Sequence, residues 1–198
     1  FLLTSCCPSW SVMAKDVIPD HADCVSMSPT PMVATARMIK KKYPECKIVF
    51  IGPCASKKLE AMRKSVRSDV DYVITFEELM GMFVAKDVSF AEEALHPMED
   101  ATGAGRGYAV AGGVAEAVIR RCINDKGTGA LQEIEFCGVR GMQSTKEATV
   151  SLDGTEIKIA VVSGLRNAQE LIKKIESGEA YYDLVEVMAC PCGCVGGA

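Results

Sequence analysis

The uneven placement of ten cysteines constrains this 198-residue chain more than any other feature of its sequence. Cys6 and Cys7 are adjacent near one end, whereas Cys190, Cys192 and Cys194 alternate near the other. The remaining five stand alone, at Cys24, Cys46, Cys54, Cys122 and Cys137. Ten cysteines are about 5% of the chain, below the roughly 8 to 10% of a small disulfide scaffold. Without a secretory leader, such clusters favour metal binding or redox chemistry over disulfides.

The charge balance excludes several classes of partner. Lys and Arg together number 22 and Asp and Glu 26, so the formal net charge is −4. This balance provides no basic surface for nucleic acid or for an anionic membrane. No apolar stretch approaches the roughly 18 to 20 residues of a membrane span, and the first residues lack the features of a secretory leader. We therefore expect a soluble, cytoplasmic protein that binds neither nucleic acid nor membranes.

Both ends of the sequence resemble cuts in a longer chain. Phe1 is not an initiator methionine, and Ala198 closely follows the last cysteine cluster. We therefore expect the functional unit to be larger than these 198 residues.

From Ser28 onward, helical and strand patterns alternate, which predicts an α/β fold of layered sheets flanked by helices. The predicted helices cover residues 30–43, 76–85, 110–123 and 166–176. The predicted strands cover residues 47–51, 71–75, 134–139 and 183–188, with a hairpin over 149–163 that turns at Asp153-Gly154. Cys54 and Cys190 each follow the carboxyl end of a predicted strand. Since open α/β sheets bind ligands at that edge, we expect both cysteines at the same rim of one sheet.

Three cysteine-containing segments carry the functional signal: residues 4–10 (TSCCPSW), 52–60 (GPCASKKLE) and 186–194 (EVMACPCGC). In order, spacing and flanking sequence they resemble the three signature motifs of iron-only ([FeFe]) hydrogenases, and the likeness covers nearly the whole chain. The resemblance implies that residues 1–198 are a fragment of one hydrogenase catalytic domain, with the upstream part absent. It implies the hydrogenase-like α/β fold, with the cluster at the carboxyl ends of strands and possible lobes of about 1–100 and 101–198.

The resemblance also implies the cofactor and its ligands. By motif position, a [4Fe-4S] cubane is held by Cys7, Cys54, Cys190 and Cys194, which supply the four thiolates that such a cluster needs. Cys194 matches the thiolate that bridges the cubane to a two-iron subcluster carrying CO, cyanide and a dithiolate bridge. The two parts form the H-cluster of the family.

Further residues match positions around the two-iron subcluster. Cys6 matches the cysteine that carries protons to the bridging amine, and a thiol suits this role because its pKa of about 8.5 can be tuned across the neutral range. Lys57 matches the lysine that hydrogen-bonds a cyanide ligand, and Glu60, three residues on, is expected to orient it. Ser28 matches a serine beside the bridging amine, and Met188 an apolar residue against the two irons.

Four positions differ from well-studied relatives. Tyr108 falls where relatives often have a phenylalanine near the cluster, and Gly52 where they have a methionine, which implies a roomier or more polar pocket. Cys24 stands at the place of a proton-relay serine, so it is either a relay thiol or a core filler. Cys192 adds a thiol inside the last motif that could compete as a ligand. The carboxylates that relatives use for proton exit would lie upstream of the chain.

Several alternatives remain beside these interpretations. The same four cysteines could hold structural zinc, although no CxxC pair is present. The isolated Cys46, Cys122 and Cys137 are expected to be small core residues. For function, the resemblance implies an oxidoreductase that reversibly reduces protons to hydrogen, with ferredoxin as electron partner and separate maturation proteins for the cluster. A non-catalytic iron-sulfur assembly protein and a slow sensory hydrogenase are the alternatives. The pairing of Cys6 with Cys7, together with Lys57 and Ser28, favours the enzyme.

Overall fold

A computed structural model describes residues 1–88, 102–126, 134–139, 142, 144–152 and 154–197. Its helices are α1 (Pro8–Val17), α2 (Pro31–Lys42), α3 (Ser56–Ala61), α4 (Phe76–Ala85), α5 (Gly103–Gly107), α6 (Gly113–Lys126) and α7 (Leu165–Glu176). Short 3-10 helices cover Pro19–Cys24 and Cys194–Gly196. Its strands are β1 (Leu2–Leu3), β2 (Val49–Gly52), β3 (Tyr72–Thr75), β4 (Cys137–Gly138), β5 (Thr145–Leu152), β6 (Thr155–Ser163) and β7 (Leu184–Met188).

Within the described residues, the larger sheet has five strands in the order β1-β7-β6-β5-β4. Strand β7 is parallel to both β1 and β6, whereas β5 is antiparallel to β4 and β6. The β5–β6 hairpin pairs from Thr145↔Val162 to Leu152↔Thr155. Gly154 adopts φ +79° at its tip, as a tight hairpin turn requires. Asp153, the other residue of the predicted turn, lies outside the described residues.

Strand β7 is buried along its whole length because it lies between β1 and β6 and both of its faces are covered. Trp10 of α1 is fully buried in the same core, and its indole N–H donates to the Thr4 carbonyl oxygen at 3.0 Å. Helix α7 contributes Ala168, Leu171 and Ile172 from one face. The β7 strand therefore provides a rigid base for the cysteines that follow it.

A second, smaller sheet pairs β2 and β3 in parallel. Helix α2 begins with Pro31 at its first turn, and its buried face joins a separate apolar core. The core residues are Met32, Val33, Ala36, Val66 and Val70. Helix α4 starts at a capping box in which Thr75 Oγ1 accepts from the Glu78 N–H and the Glu78 carboxylate accepts from the Thr75 N–H.

The chain divides into two compact units. One contains Phe1–Ser28 with Thr102–Gly196, and the other contains Pro29–Ala101 with Gly197–Ala198. The first 28 residues therefore group with the C-terminal part of the chain. Among the described residues, no helix is long and apolar enough to cross a membrane.

The α/β class with helix-flanked sheets is confirmed, but two expectations are wrong. Cys54 and Cys190 do not share a sheet rim, because β2 belongs to the two-stranded sheet and β7 to the five-stranded one. The three isolated cysteines expected in the core are not buried there. Cys137 is exposed on the short β4, and Cys46 and Cys122 are half-buried. Cys122 lies within α6, Cys46 lies between α2 and β2, and Cys137 lies on a two-residue strand.

Candidate functional site

The first motif is attached to β7 by two hydrogen bonds of Thr4, one from its backbone N–H and one to its side-chain hydroxyl. The Thr4 N–H donates to the Val185 oxygen at 3.0 Å, and Thr4 Oγ1 accepts from the Val187 N–H at 3.1 Å. Cys7 follows as the N-cap of α1, with extended backbone (φ −92°, ψ 111°) and only 8% exposure. The sheet thus brings the first motif beside the strand that leads into the last one.

The last motif forms a tight loop directly after β7. Cys192 is exposed and adopts φ +59°, a left-handed conformation that costs free energy for any residue except glycine. A 3-10 turn begins at Cys194, whose Sγ lies 3.9 Å from Met188 Sδ. Cys190 and Cys194 are both half-buried, as expected for thiols at the edge of a core.

Cys6 is half-buried in a negatively charged environment. Burial, followed by the charges of Glu186, Cys194 and Cys7, raises the pKa of the Cys6 thiol to about 12. In this environment the Cys6 thiol is therefore protonated at neutral pH. Desolvation and like charges both disfavour the thiolate.

Tyr108 belongs to the same group of side chains. Its phenol is half-buried just after α5, and burial together with the charges of Cys6, Glu186 and Cys194 raises its pKa. The hydroxyl is therefore a proton donor at all physiological pH values. The glycine-rich sequence before it forms the short helix α5, whose start is capped by the Thr102 hydroxyl.

Glu186 is a charged residue of the last motif to which the sequence pattern assigns no role. It lies in the middle of β7 with 0% exposure, and its carboxylate accepts from the backbone N–H groups of Gly112 at 2.7 Å and Ala115 at 2.8 Å. Burial raises its pKa, and the backbone N–H groups at the start of α6 act in the opposite direction. The sequence signal that could have identified Glu186 as a site residue is a carboxylate between two valines in an otherwise apolar strand.

The smaller unit carries the second motif. Cys54 follows β2 by two residues and is half-buried, and its carbonyl oxygen accepts from the Lys57 N–H at 3.2 Å. In α3, the Lys57 ammonium donates to Glu60 Oε2 at 2.6 Å, with the residues only 8% and 3% exposed. The orienting contact expected between these two residues is therefore present.

Gly52 is accommodated by an aromatic ring of its own strand. A Cβ at Gly52 would lie 2.9 Å from the Cε1 and Cζ atoms of Phe50. The Phe50 ring therefore occupies the space that a side chain at Gly52 would fill, because residues two apart in a strand share a face. The roomier or more polar pocket stays a prediction.

Ser28 and Thr30 are the polar residues on either side of Pro29, just before α2. Ser28 is exposed, and its carbonyl oxygen accepts from the Ser5 hydroxyl, one residue before Cys6, at 3.2 Å. The buried Thr30 hydroxyl has no hydrogen-bond partner among the residues that the structure describes. Since buried hydroxyls are normally bonded, Thr30 is a further group that a bound ligand could satisfy.

The thiols fit the chemistry of an iron-sulfur cluster better than that of a single metal ion. No three His, Cys, Asp or Glu side chains in the described part of the chain are arranged to hold one ion. A cubane instead takes one thiolate on each iron, so its ligands need not converge on one point. The buried Cys7 thiol, and the half-buried Cys194 thiol beside the Met188 thioether, fit that chemistry. Cys54 lies in the other compact unit, and the four-cysteine set remains a prediction.

Comparison with known proteins gives a consistent family likeness. The family described as "Iron only hydrogenase large subunit, C-terminal domain" matches residues 1–198. The NADP-reducing hydrogenase subunit HndD of Solidesulfovibrio fructosivorans is 36% identical, with 99% of this chain and 36% of the relative covered. Iron hydrogenase 1 of Clostridium pasteurianum is 34% identical, with 99% and 37% covered.

The chain is also similar to a solved structure and to a relative whose name does not mention hydrogenase. An [FeFe]-hydrogenase variant from Chlamydomonas reinhardtii matches with a TM-score of 0.82 and 30% identity, over 100% of this chain and 61% of that one. The cytosolic iron-sulfur assembly component 3 of Mus musculus is 28% identical, with 99% of this chain and 46% of the relative covered. The chain thus spans between about a third and a half of the length of these curated relatives.

Proposed function

This chain belongs to the iron-only hydrogenase large-subunit family, and we propose that its protein interconverts protons and molecular hydrogen at an H-cluster. The main support is Cys6 beside Cys7, because the resemblance gives these two thiols different tasks, proton transfer and cluster ligation. The similarity to named hydrogenases at 36% and 34% identity supports the same choice.

In this proposal, Cys7, Cys54, Cys190 and Cys194 hold a [4Fe-4S] cubane, and Cys194 also bridges to the two-iron subcluster with CO, cyanide and a dithiolate bridge. The two-iron group, when bound, supplies the metal centre at which hydrogen forms and is split. The protein supplies thiolate ligands, a dry apolar surrounding that includes Met188, and proton donors.

Cys6 is the proposed proton carrier. Its protonated thiol can donate a proton to a basic group in the site and then take up another proton from the solvent side. Cys7, the other thiol of the first motif, is a proposed cluster ligand and is not available for this role. Ser28 and Tyr108 are further hydrogen-bond donors in this proposal. We propose that Gly52 lines the cluster pocket, and the Phe50 ring lies beside it.

Lys57 is the proposed donor to an anionic cyanide ligand. Its ammonium is already held by Glu60 in a buried pair, so its direction is set before any ligand binds. Preorganised charge of this kind costs no rearrangement when the ligand arrives.

Partners and location follow from the same proposal. We infer that ferredoxin or a similar carrier supplies electrons, that maturation proteins deliver the two-iron subcluster, and that the protein is cytoplasmic. Fractionation of cells that make the protein tests the location directly.

A non-catalytic role in iron-sulfur assembly is the second candidate, favoured by the 28% identity to the assembly component of Mus musculus. The two functions differ in one measurable property. A hydrogenase carries CO and cyanide, whereas a non-catalytic assembly protein carries a cubane alone.

The deciding experiment combines the full-length protein with hydrogenase maturation enzymes and records an infrared spectrum. We expect CO and cyanide stretching bands in the wild type and in Cys6→Ala. Because a positioned acid contributes about 100-fold or more, Cys6→Ala should lose at least that factor in hydrogen evolution. Cys122→Ala, a half-buried cysteine outside the motifs, is the control and should keep both.

Two results would contradict the proposal. A spectrum without these bands, from a protein that holds a cubane, would favour the assembly function. Normal hydrogen evolution by Cys6→Ala would remove its assigned role in proton transfer.

A further inference from the structure

Glu186 joins strand β7 to the start of helix α6. Its carboxylate accepts from the Gly112 and Ala115 N–H groups, and it has no exposed surface. Burying a carboxylate is costly unless its oxygens are hydrogen-bonded, and the N-terminus of a helix supplies both the donors and a favourable dipole. The carboxylate at position 186 is therefore explained by its hydrogen bonds to the start of α6, and not by its volume in the core.

The segment just before α6 also bonds to the last cysteine motif. The Ala111 N–H donates to the Cys192 oxygen at 2.9 Å, and the Val195 N–H donates to the Ala109 oxygen at 3.2 Å. Val110 and Gly193 form an antiparallel bridge between these two bonds. Residues 109–112 thus lie along the Cys190–Cys194 loop like a short extra strand.

Glycines permit this close backbone approach. A Cβ at Gly193 would lie 2.6 Å from both the Ala109 oxygen and the Ala111 nitrogen, and Gly193 has φ +92°. Gly112 adopts φ +97° where the segment turns from the loop toward Glu186. No side chain separates residues 109–112 from the loop at Gly193, so a displacement of one is transmitted directly to the other.

We propose that Glu186 is a positioning residue that fixes the Cys190–Cys194 loop through residues 109–112. The connections form a closed circuit from β7 through Glu186, Gly112, Ala111 and Cys192 and back along the loop to β7. We call this circuit the clamp. It holds the backbone of the loop in place independently of any metal, and its importance for function rests on the proposed role of Cys190 and Cys194 as ligands.

Hydrogen exchange of the full chain without iron tests the clamp itself. Glu186→Gln replaces one acceptor oxygen with an NH₂ group that faces a backbone N–H. We expect the Ala111 and Val195 amides, which do not contact Glu186, to exchange about 10- to 100-fold faster, as for the loss of a hydrogen bond to a charged group. The amides of the β5–β6 hairpin should be unchanged.

Glu116→Gln is the matched control, because Glu116 lies in the same helix and pairs with the exposed Arg120. It should leave the Ala111 and Val195 amides unaffected. If Glu186→Gln accelerates only Gly112 and Ala115, then Glu186 is a helix cap alone and the proposal is overturned.

A second variant covers the case in which Glu186→Gln does not fold. Gly193→Ala breaks the clamp from the loop side, since its Cβ cannot fit against residues 109–111. The Gly112 and Ala115 amides, which bond to Glu186, should then exchange faster. Unchanged exchange at these two amides would contradict a connected circuit.

The link to function is tested with the cubane reconstituted in the full chain. Glu186→Asp keeps the charge but shortens the side chain by one methylene, so we expect an altered EPR spectrum of the reduced cluster at equal iron content. Glu116→Gln should retain the wild-type spectrum. An unchanged spectrum in Glu186→Asp, with faster Ala111 and Val195 exchange, would overturn the positioning role. A wild type that binds no cubane would instead refute the proposed function, and the exchange data would still decide whether the clamp exists.

Discussion

Two buried carboxylates of this protein are compensated in different ways. Glu60 pairs with the Lys57 ammonium, whereas Glu186 accepts from backbone N–H groups at the start of α6. A buried ion pair leaves a charge behind when one partner is removed, but backbone donors leave only unsatisfied dipoles. The two sites therefore respond differently to substitution.

Glu60→Met should destabilise the protein by about 3 to 5 kcal/mol, because it leaves the Lys57 ammonium buried without its carboxylate. The double variant Lys57→Met with Glu60→Met should recover most of this loss, since two apolar side chains of similar volume replace the pair. Urea unfolding of the metal-free protein measures both free energies.

The neighbouring Lys58 provides the control. It pairs with Glu78 on the surface, with the side chains 39% and 48% exposed. Lys58→Met should therefore cost at most about 1 kcal/mol. A double variant as unstable as Glu60→Met would show that the pair has a role beyond mutual neutralisation.

At the scale of elements, the sequence predicts best those whose limits are set locally. Helix α4 is predicted at residues 76–85 and is observed there, because its capping box lies within four consecutive residues. Helix α6 begins at Gly113 and not at Val110, because Glu186, 71 and 74 positions away from its two partners, caps it. The local pattern around Val110 contains no information about that distant carboxylate.

Strand assignment has a similar limit. The runs that form β2 and β7 both have the pattern of buried strands, and both are followed by a cysteine. Hydrophobic pattern specifies which face of a strand is buried but not which strand it pairs with. The expectation of one shared sheet rim was wrong because the sequence does not specify strand pairing. The expectation that Cys54 and Cys190 each follow the carboxyl end of a strand is confirmed.

Asp71 connects the elements of the smaller unit and predicts a pH dependence. Its carboxylate accepts from the Ile48 N–H and pairs with Lys40 of α2 and Lys47. The Ile48 backbone bond, followed by these lysines, lowers the Asp71 pKa from 3.8 to about 2. The folded state therefore binds this proton less readily than the unfolded state.

The sign of the effect follows from linkage. A lowered carboxyl pKa stabilises the fold above the unfolded value, and this contribution is lost as the pH falls from about 4 to about 2. Asp71→Asn should thus be less stable than the wild type at about pH 6, and the difference should shrink at about pH 2.5. Urea unfolding at the two pH values measures it, and an equal difference at both would contradict the assignment.

For the whole molecule, the sequence motifs indicate which residues have a role, but they do not indicate which distant segments contact one another. The first and last motifs are brought together by β7, and Tyr108 belongs to the same group of side chains. Glu186 and the hydrogen bonds of residues 109–112 were not predicted, since backbone contacts between distant segments leave little trace in side-chain patterns. The charge environment of Cys6 could not be predicted for the same reason.

The four proposed cluster ligands are divided unequally between the two compact units. Cys54 lies in one unit, and the other unit contains Cys7, Cys190 and Cys194. If all four hold one cubane, the reconstituted full-length protein should bind about four irons per chain at this site. Cys54→Ala should then lose most of this iron, or retain a three-iron cluster that lacks the iron bound by Cys54. Cys46→Ala removes a half-buried cysteine of the same unit and should keep the full content. Iron analysis and EPR of the reduced protein measure both. A Cys54→Ala variant with an intact four-iron cluster would mean that a different group completes the ligand set.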